Sequence, residues 1–136
     1  MYTKKPSMFM RLQAIVVLAL LLSEPVFGHH SFGAEFDESQ PVTLEGTVVR
    51  FEFMNPHSWI HLDVEDADGN PIRWSVETGS TNALFRRGWR KDSLRAGDRI
   101  RIEAFRAKNG TNTANASSVE LPGGRLFDAG SSRETN

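Results

Sequence analysis

The stretch from Val42 to Val76, VTLEGTVVRFEFMNPHSWIHLDVEDADGNPIRWSV, carries the reading on which the fold turns. Val42 to Phe53 is rich in β-branched and aromatic residues, and its apolar alternation changes phase around Val48-Val49, as a long bent strand with a bulge would. Gly46 is the expected pivot. Asn55-Pro56 marks a turn, because Pro56 fixes its own φ and steers Asn55 away from the helical region. From His57 to Glu65, Ile60, Leu62 and Val64 alternate with Trp59, His61 and Asp63, the mark of a half-buried strand. Asp66-Ala67-Asp68-Gly69-Asn70 reads as a hairpin loop, after which Ile72, Trp74 and Val76 repeat the alternation and leave Arg73, Ser75 and Glu77 facing outward.

C-terminal to this core the pattern changes. Ser80 or Thr81 can cap a short helix carrying Ala83, Leu84 and Phe85, and Gly88 stands where helices stop. Ala96-Gly97-Asp98 makes a turn into a fourth strand with Ile100, Ile102 and Ala104 inward. Lys108 to Ala116 reads as a polar loop, Ser118 to Leu121 as a short final strand, Gly123-Gly124 as a turn, and 129–136 as a disordered tail. The expected fold is all-β: a small OB-like barrel of five strands over 42–128, with one short helix between strands three and four.

N-terminal to it, Lys4, Lys5 and Arg11 precede an apolar run from Ala14 to Leu22, followed by Ser23-Glu24-Pro25-Val26-Phe27-Gly28. That order of charge, apolar run and small residues is a secretory signal peptide over 1–28, cleaved after Gly28, since the run is about half the ~20 residues a spanning helix needs. The expected product is periplasmic or secreted, a monomer with no membrane anchor after processing, and residues 29–41 form an arm whose Phe32 and Phe36 dock on the barrel. The chain contains no cysteine, so neither a lipid anchor on cysteine nor a disulfide framework is available. Removing the signal leaves 13 basic against 16 acidic residues, which argues against a nucleic-acid partner.

The motifs HHSF-x-AEFD, PVTLEGTV, NPH-x-W, a Trp-bearing third strand, GS-x-NAL-x-RRGW and GD-x-I-x-IE-x-F-x-AK-x-G occur in this order from His29 to about Phe127. Together they resemble the family called domain of unknown function 6152. The resemblance implies export and a single β-rich domain, and it supplies no catalytic residues.

Cleavage after Gly28 makes His29 N-terminal, so that its α-amine and ring can chelate a transition metal, chiefly copper as Cu(II), with His30 adjoining it. His57 and His61 are the candidate further ligands, but four residues of strand span about 13 Å, so only one of them joins the same ion. His57 is preferred because it follows the Asn55-Pro56 turn. The plain alternatives are a solvated arm, turn-capping by His57 and a cross-strand role for His61. Trp59, with Arg73 nearby, marks a ligand face on strands two and three. Trp59 there either stacks on a sugar or covers the arm against Phe32 or Phe36.

The basic cluster Arg86, Arg87 and Arg90, with Arg73, Arg99 and Arg101, is expected to be a solvated face balanced by Glu45, Glu52, Glu77 and Glu103. Asp63, Glu65, Asp66 and Asp68 resemble a hard-cation loop in composition but lack the later Glu of an EF-hand. No nucleophile elbow, phosphate loop or zinc-protease helix is present. The reading is a non-enzymatic binding or accessory domain acting on a protein or small ligand, copper-binding through the histidines or, alternatively, a metal-free protein- or glycan-interaction module.

Overall fold

The computed structural model describes residues 32–131. A four-residue helix, α1 (Phe32–Glu35), leads directly into β1 (Phe36–Glu52). Then follow β2 (Trp59–Glu65), β3 (Pro71–Glu77), helix α2 (Thr81–Arg86), β4 (Arg99–Ala107), β5 (Thr113–Glu120) and β6 (Leu126–Asp128). The sheet order is β3-β2-β1-β4-β5-β6, and β3 also pairs with β5. That last contact is parallel and narrow, Ser75 with Thr113, Val76 with Ala114 and Glu77 with Asn115. It joins β1-β2-β3-β5-β4 into a ring, the partly open Greek-key arrangement of OB-type barrels.

β1 serves both halves of the ring because it is long and bent. Gly46 pairs with Val64 on one side and Ile100 on the other. A Cβ on Gly46 would overlap the Asp63 carbonyl oxygen and lie 3.0 Å from the Asp63 carbonyl carbon, so the strands approach here as only glycine permits. The register shifts between Val48 and Arg50, which makes Val49 the extra residue of a bulge. At the bulge the Gly97 N–H donates to the Val48 carbonyl and the Val48 N–H to the Asp98 carbonyl, both at 2.8 Å. The turn before β4 thereby satisfies backbone groups of β1.

The interior holds Leu44, Val48, Ile60, Leu62, Val76, Ile102 and Val119 from alternate strand positions. Leu84 of α2, fully buried, joins the same core; Ser80 caps that helix by accepting from the Ala83 N–H at 3.3 Å. Trp89, fully buried, packs on Phe51 and Phe127 at centroid separations of 5.7 and 5.3 Å and donates its indole N–H to the Asp128 carbonyl at 2.8 Å. Trp74 is also interior, while Ile72, though in phase with it, is exposed near the hairpin.

Four expectations need correction. The arm does not extend to Pro41, because β1 begins at Phe36, whose ring is buried and packed with Phe32 at 5.6 Å. Residues 113–116 are strand rather than loop: Ala114, Asn115 and Ala116 are buried between β3 and β4, and this packing overrides their weak strand preference. There are six strands, β6 being the addition. The chain does not loosen at Ala129, which is fully buried with its N–H on Ser117 and its carbonyl accepting from Gly79.

Candidate functional site

The outward face of β2 and β3 carries the residues singled out by type. Because Ile60 and Leu62 are fully buried, Trp59, His61 and Asp63 project to the other side. Cross-strand register sets their neighbours: Trp59 opposes Glu52 and Glu77, His61 opposes Arg50 and Ser75, and Asp63 opposes Arg73.

Asp63 takes two hydrogen bonds from Arg73, at 2.5 and 3.3 Å. That hydrogen-bonded pairing holds the Asp63 carboxyl below its usual range and raises the Arg73 guanidinium. Arg73 is therefore engaged within the sheet. His61 has both ring nitrogens occupied, Nδ1 at 3.0 Å from Ser75 Oγ and Nε2 at 3.2 Å from Glu52 Oε2. Arg50 braces Glu52 at 2.8 Å. The Ser–His–Glu connectivity has the parts of a hydrolytic triad, but the nitrogens are reversed relative to one, and the three residues are simple cross-strand neighbours whose strand amides serve the ladder. It is a polar row that ties β1, β2 and β3 together.

His57 belongs to a different cluster. Its loop is fastened by the Ser58 hydroxyl, which accepts from the Met54 N–H at 3.2 Å and donates to the Met54 carbonyl at 3.1 Å, and by Asn55, whose side chain accepts from the Thr81 N–H and hydroxyl. His57 Nδ1 is buried 3.1 Å from Glu77 Oε1. The contact is of ion-pair length without aligned hydrogen-bond geometry, and Nδ1 has no hydrogen-bond partner among the described residues. Glu77 Oε1 also accepts from Asn115 Nδ2 at 3.0 Å, and the same amide donates to Ser131 Oγ at 2.8 Å. Glu77 is only 8% exposed although it lies on the outward face. The turn before β2 and the segment after β6 supply its neighbours. The assignment of Glu77 to a solvated face is corrected accordingly.

Beside Trp59 runs a groove of about 540 Å³. Ala34, Phe36, Trp59 and Ala107 form its apolar part, and Glu35, Lys108, Asn109 and Thr113 its polar rim. The arm makes one wall: Phe32 packs edge-on against Phe105 at 5.9 Å, the Lys108 N–H donates to the Glu35 carbonyl at 2.9 Å and the Lys108 ammonium to the Gly33 carbonyl. Trp59 thus shares a cleft with the arm without stacking on Phe32 or Phe36 among the ring contacts described.

The remaining candidates are placed as follows. His29 and His30 lie outside the described residues, and among the described residues no group of three His, Cys, Asp or Glu could hold a metal ion. His57 and His61 enter separate clusters. Asp66 accepts from the Asn70 N–H at 2.8 Å and the Asp68 N–H at 2.9 Å, and these bonds, the Asn70 one foremost, hold its carboxyl below the usual range. That carboxylate organises its own hairpin loop. Arg101 bridges Glu45 and Glu103, Arg90 lies 4.0 Å over the Phe85 ring, and Arg87 donates to the Gly130 carbonyl.

Sequence reasoning missed Asn115 and Ser131 and misread Glu77. The one trace of Asn115 is its place between two alanines, small residues that suit close packing on both sides.

Among known proteins, the model of a family of unknown function (DUF6152) matches residues 17–116. No curated protein and no solved structure matches the chain.

Proposed function

The chain belongs to the DUF6152 family, and on that premise we propose that it is an exported, non-enzymatic binding domain that takes a glycan, or another flat hydroxyl-rich ligand, in the groove beside Trp59. The observation that carries this reading is the groove itself. Its volume falls within the range of small-molecule sites, and it combines the half-buried Trp59 with polar side chains in its lining. An indole offers a flat apolar platform for the C–H face of a sugar, while Asn109, Thr113 and Lys108 stand on the rim where hydroxyls would need partners. The export part rests on the basic-then-apolar order of residues 4–28. The non-enzymatic part rests on the engagement of two polar side chains of the β2–β3 face with neighbours: Arg73 with Asp63, and His61 with Ser75 and Glu52.

Tryptophan fluorescence tests the reading. Trp74 and Trp89 are interior and Trp59 is half-buried, so Trp59 accounts for the acrylamide-accessible emission. Titration with soluble oligosaccharides, both uncharged and N-acetylated, is expected to shift that emission and to protect it from the quencher, and Trp59→Ala should lose both effects while keeping its circular dichroism. A wild-type protein whose quenching is indifferent to every sugar, yet is protected by a protein pulled down from envelope extract through the same groove, would replace the glycan by a protein partner.

A further inference from the structure

Residues 78–91, TGSTNALFRRGWRK, carry four basic residues and no acidic one, in a protein whose acidic residues outnumber its basic ones. The arginines here are used in different ways. Arg87 is spent within the fold, on the Gly130 carbonyl and the Asp128 carboxylate. Arg86 and Lys91 are exposed and meet no carboxylate among the described residues. Arg90 is held with its guanidinium 4.0 Å over the Phe85 ring, because Nη1 donates to the Phe85 carbonyl at 3.2 Å and to the Trp89 carbonyl at 2.7 Å. Its Nη2 and Nε have no partner among the described residues. Phe85 itself is 56% exposed, although its neighbours Ala83 and Leu84 are buried. Met54, 48% exposed, stands in the β1–β2 turn, which the Asn55 side chain fastens to Thr81 of α2, four residues before Phe85. Single exposed apolar side chains are ordinary. A phenyl ring and a thioether set among cations that the fold leaves without counter-charge make the combination suited to an anionic lipid surface.

We infer that this face docks on an anionic phospholipid membrane, with Phe85 and Met54 entering the headgroup region and Arg86, Arg90 and Lys91 meeting the phosphates. The two apolar side chains project from a helix end and a turn, a shape that suits a fluid surface better than a partner's rigid pocket. The protein as a whole is net negative, so an anionic bilayer repels it in other orientations. Contact is therefore oriented by this one face, and salt screens it. None of these residues lines the groove beside Trp59, so the inference is independent of the sugar reading.

Each cation held near an anionic surface contributes about 5-fold in affinity, and a phenyl ring that leaves water about 10-fold. The test is cosedimentation of protein recovered from a bacterial host, its intact mass measured, with vesicles of equal parts phosphatidylglycerol and phosphatidylcholine and with vesicles of phosphatidylcholine alone. Variants are compared in the same processed form, so that residues 14–22, where retained, contribute equally. Expected is a preference for the anionic vesicles that fades as salt is raised. Arg86→Glu should weaken that binding by about 10-fold or more. Arg99→Glu makes the same charge reversal on the outward strand face, in the cross-strand row of Thr47 and Asp63, and should weaken it less than about 2-fold. Phe85→Trp keeps an aromatic ring at the site, and its added emission should shift to the blue and be quenched by lipids brominated on their acyl chains. No preference for the anionic vesicles, or equal weakening by Arg86→Glu and Arg99→Glu, overturns the inference. So does a Phe85→Trp emission that vesicles leave unmoved. A protein that ignores the vesicles and instead binds polyglutamate through Arg86 takes an acidic chain on this face, and the lipid assignment is then wrong.

Discussion

Gly46→Ala is the substitution on which the account of the barrel is most exposed. The added methyl would overlap the Asp63 carbonyl oxygen, lie 3.0 Å from the Asp63 carbonyl carbon and 3.1 Å from Leu62 Cδ1. Two of these are backbone atoms of β2, tied to β1 by the ladder on both sides of the site, so the clash is relieved only by parting the two strands. Overpacking of this kind costs about 1–3 kcal/mol. Because the atoms met are backbone, the cost falls in the upper half of that range; alanine in a strand recovers about 0.5–1 kcal/mol through its smaller loss of backbone freedom, leaving a net destabilisation of about 1–2 kcal/mol. For a domain of this size that lowers Tm by roughly 5–15 °C. Thermal and urea unfolding followed by circular dichroism measures it, with an unchanged urea slope marking a true stability loss. Gly33→Ala, where an added Cβ meets nothing within 4 Å, is the control and should stay within a few tenths of a kcal/mol. If Gly46→Ala proves as stable as wild type, the close approach of β1 to β2 is not what glycine is there for.

Three further outcomes are expected. Trp89→Leu removes a fully buried indole wedged between Phe51 and Phe127 and orphans the Asp128 carbonyl it serves, so urea unfolding should register a loss of about 2–4 kcal/mol. Asp63 and Asp66 should titrate below the ordinary aspartate value of about 3.9 in carboxyl NMR; because both are depressed in the folded state, their contribution is present above that value and fades as pH falls through the folded midpoints. Arg73→Ala should return Asp63 toward the ordinary value and leave Asp66, held by its own loop amides, where it was; an unmoved Asp63 would refute the pairing as the cause. Truncation after Asp128 removes the buried Ala129 and the Gly130 carbonyl that Arg87 grips, and should lower Tm and speed proteolysis, whereas truncation after Ser131 keeps those contacts and should not.

The bend of β1, the cap at Ser80 and the hairpin at Asp66 were legible because each depends on local chemistry: a phase change in alternation, a side chain reaching its own helix, a carboxylate closing its own loop. Thr113 to Ala116 were illegible because nothing local makes Thr-Ala-Asn-Ala a strand; β3 and β4 impose it from either side. The same reason hid the Glu77 cluster. Glu77 has the phase of a solvent residue, and only the return of the chain at Asn115 and Ser131 encloses it. Ala129 misled for the converse reason, since a small residue before Gly-Ser-Ser looks like a loose end until Ser117 and Gly79 are seen to hold it. The outward placement of Trp59, His61 and Arg73 followed from period two alone, whereas their engagement with neighbours required the register.

The narrow parallel seam between β3 and β5 closes the ring with contacts that are distant in sequence. Hairpin β2–β3 and its pairing with the second half of β1 need only nearby chain, but the seam must wait until the chain beyond Ser75 has passed through α2 and β4 and come back at Thr113. With this seam, and with a β1–β4 ladder that spans still more sequence, from Phe36 to Ala107, the ring folds on the slow side for its length, in the millisecond-to-second class of non-local β topologies. Until the seam forms, the free edges of β3 and β5 are exposed to pairing with other chains. Two strand edges thus depend for their cover on one pairing of three residues a side.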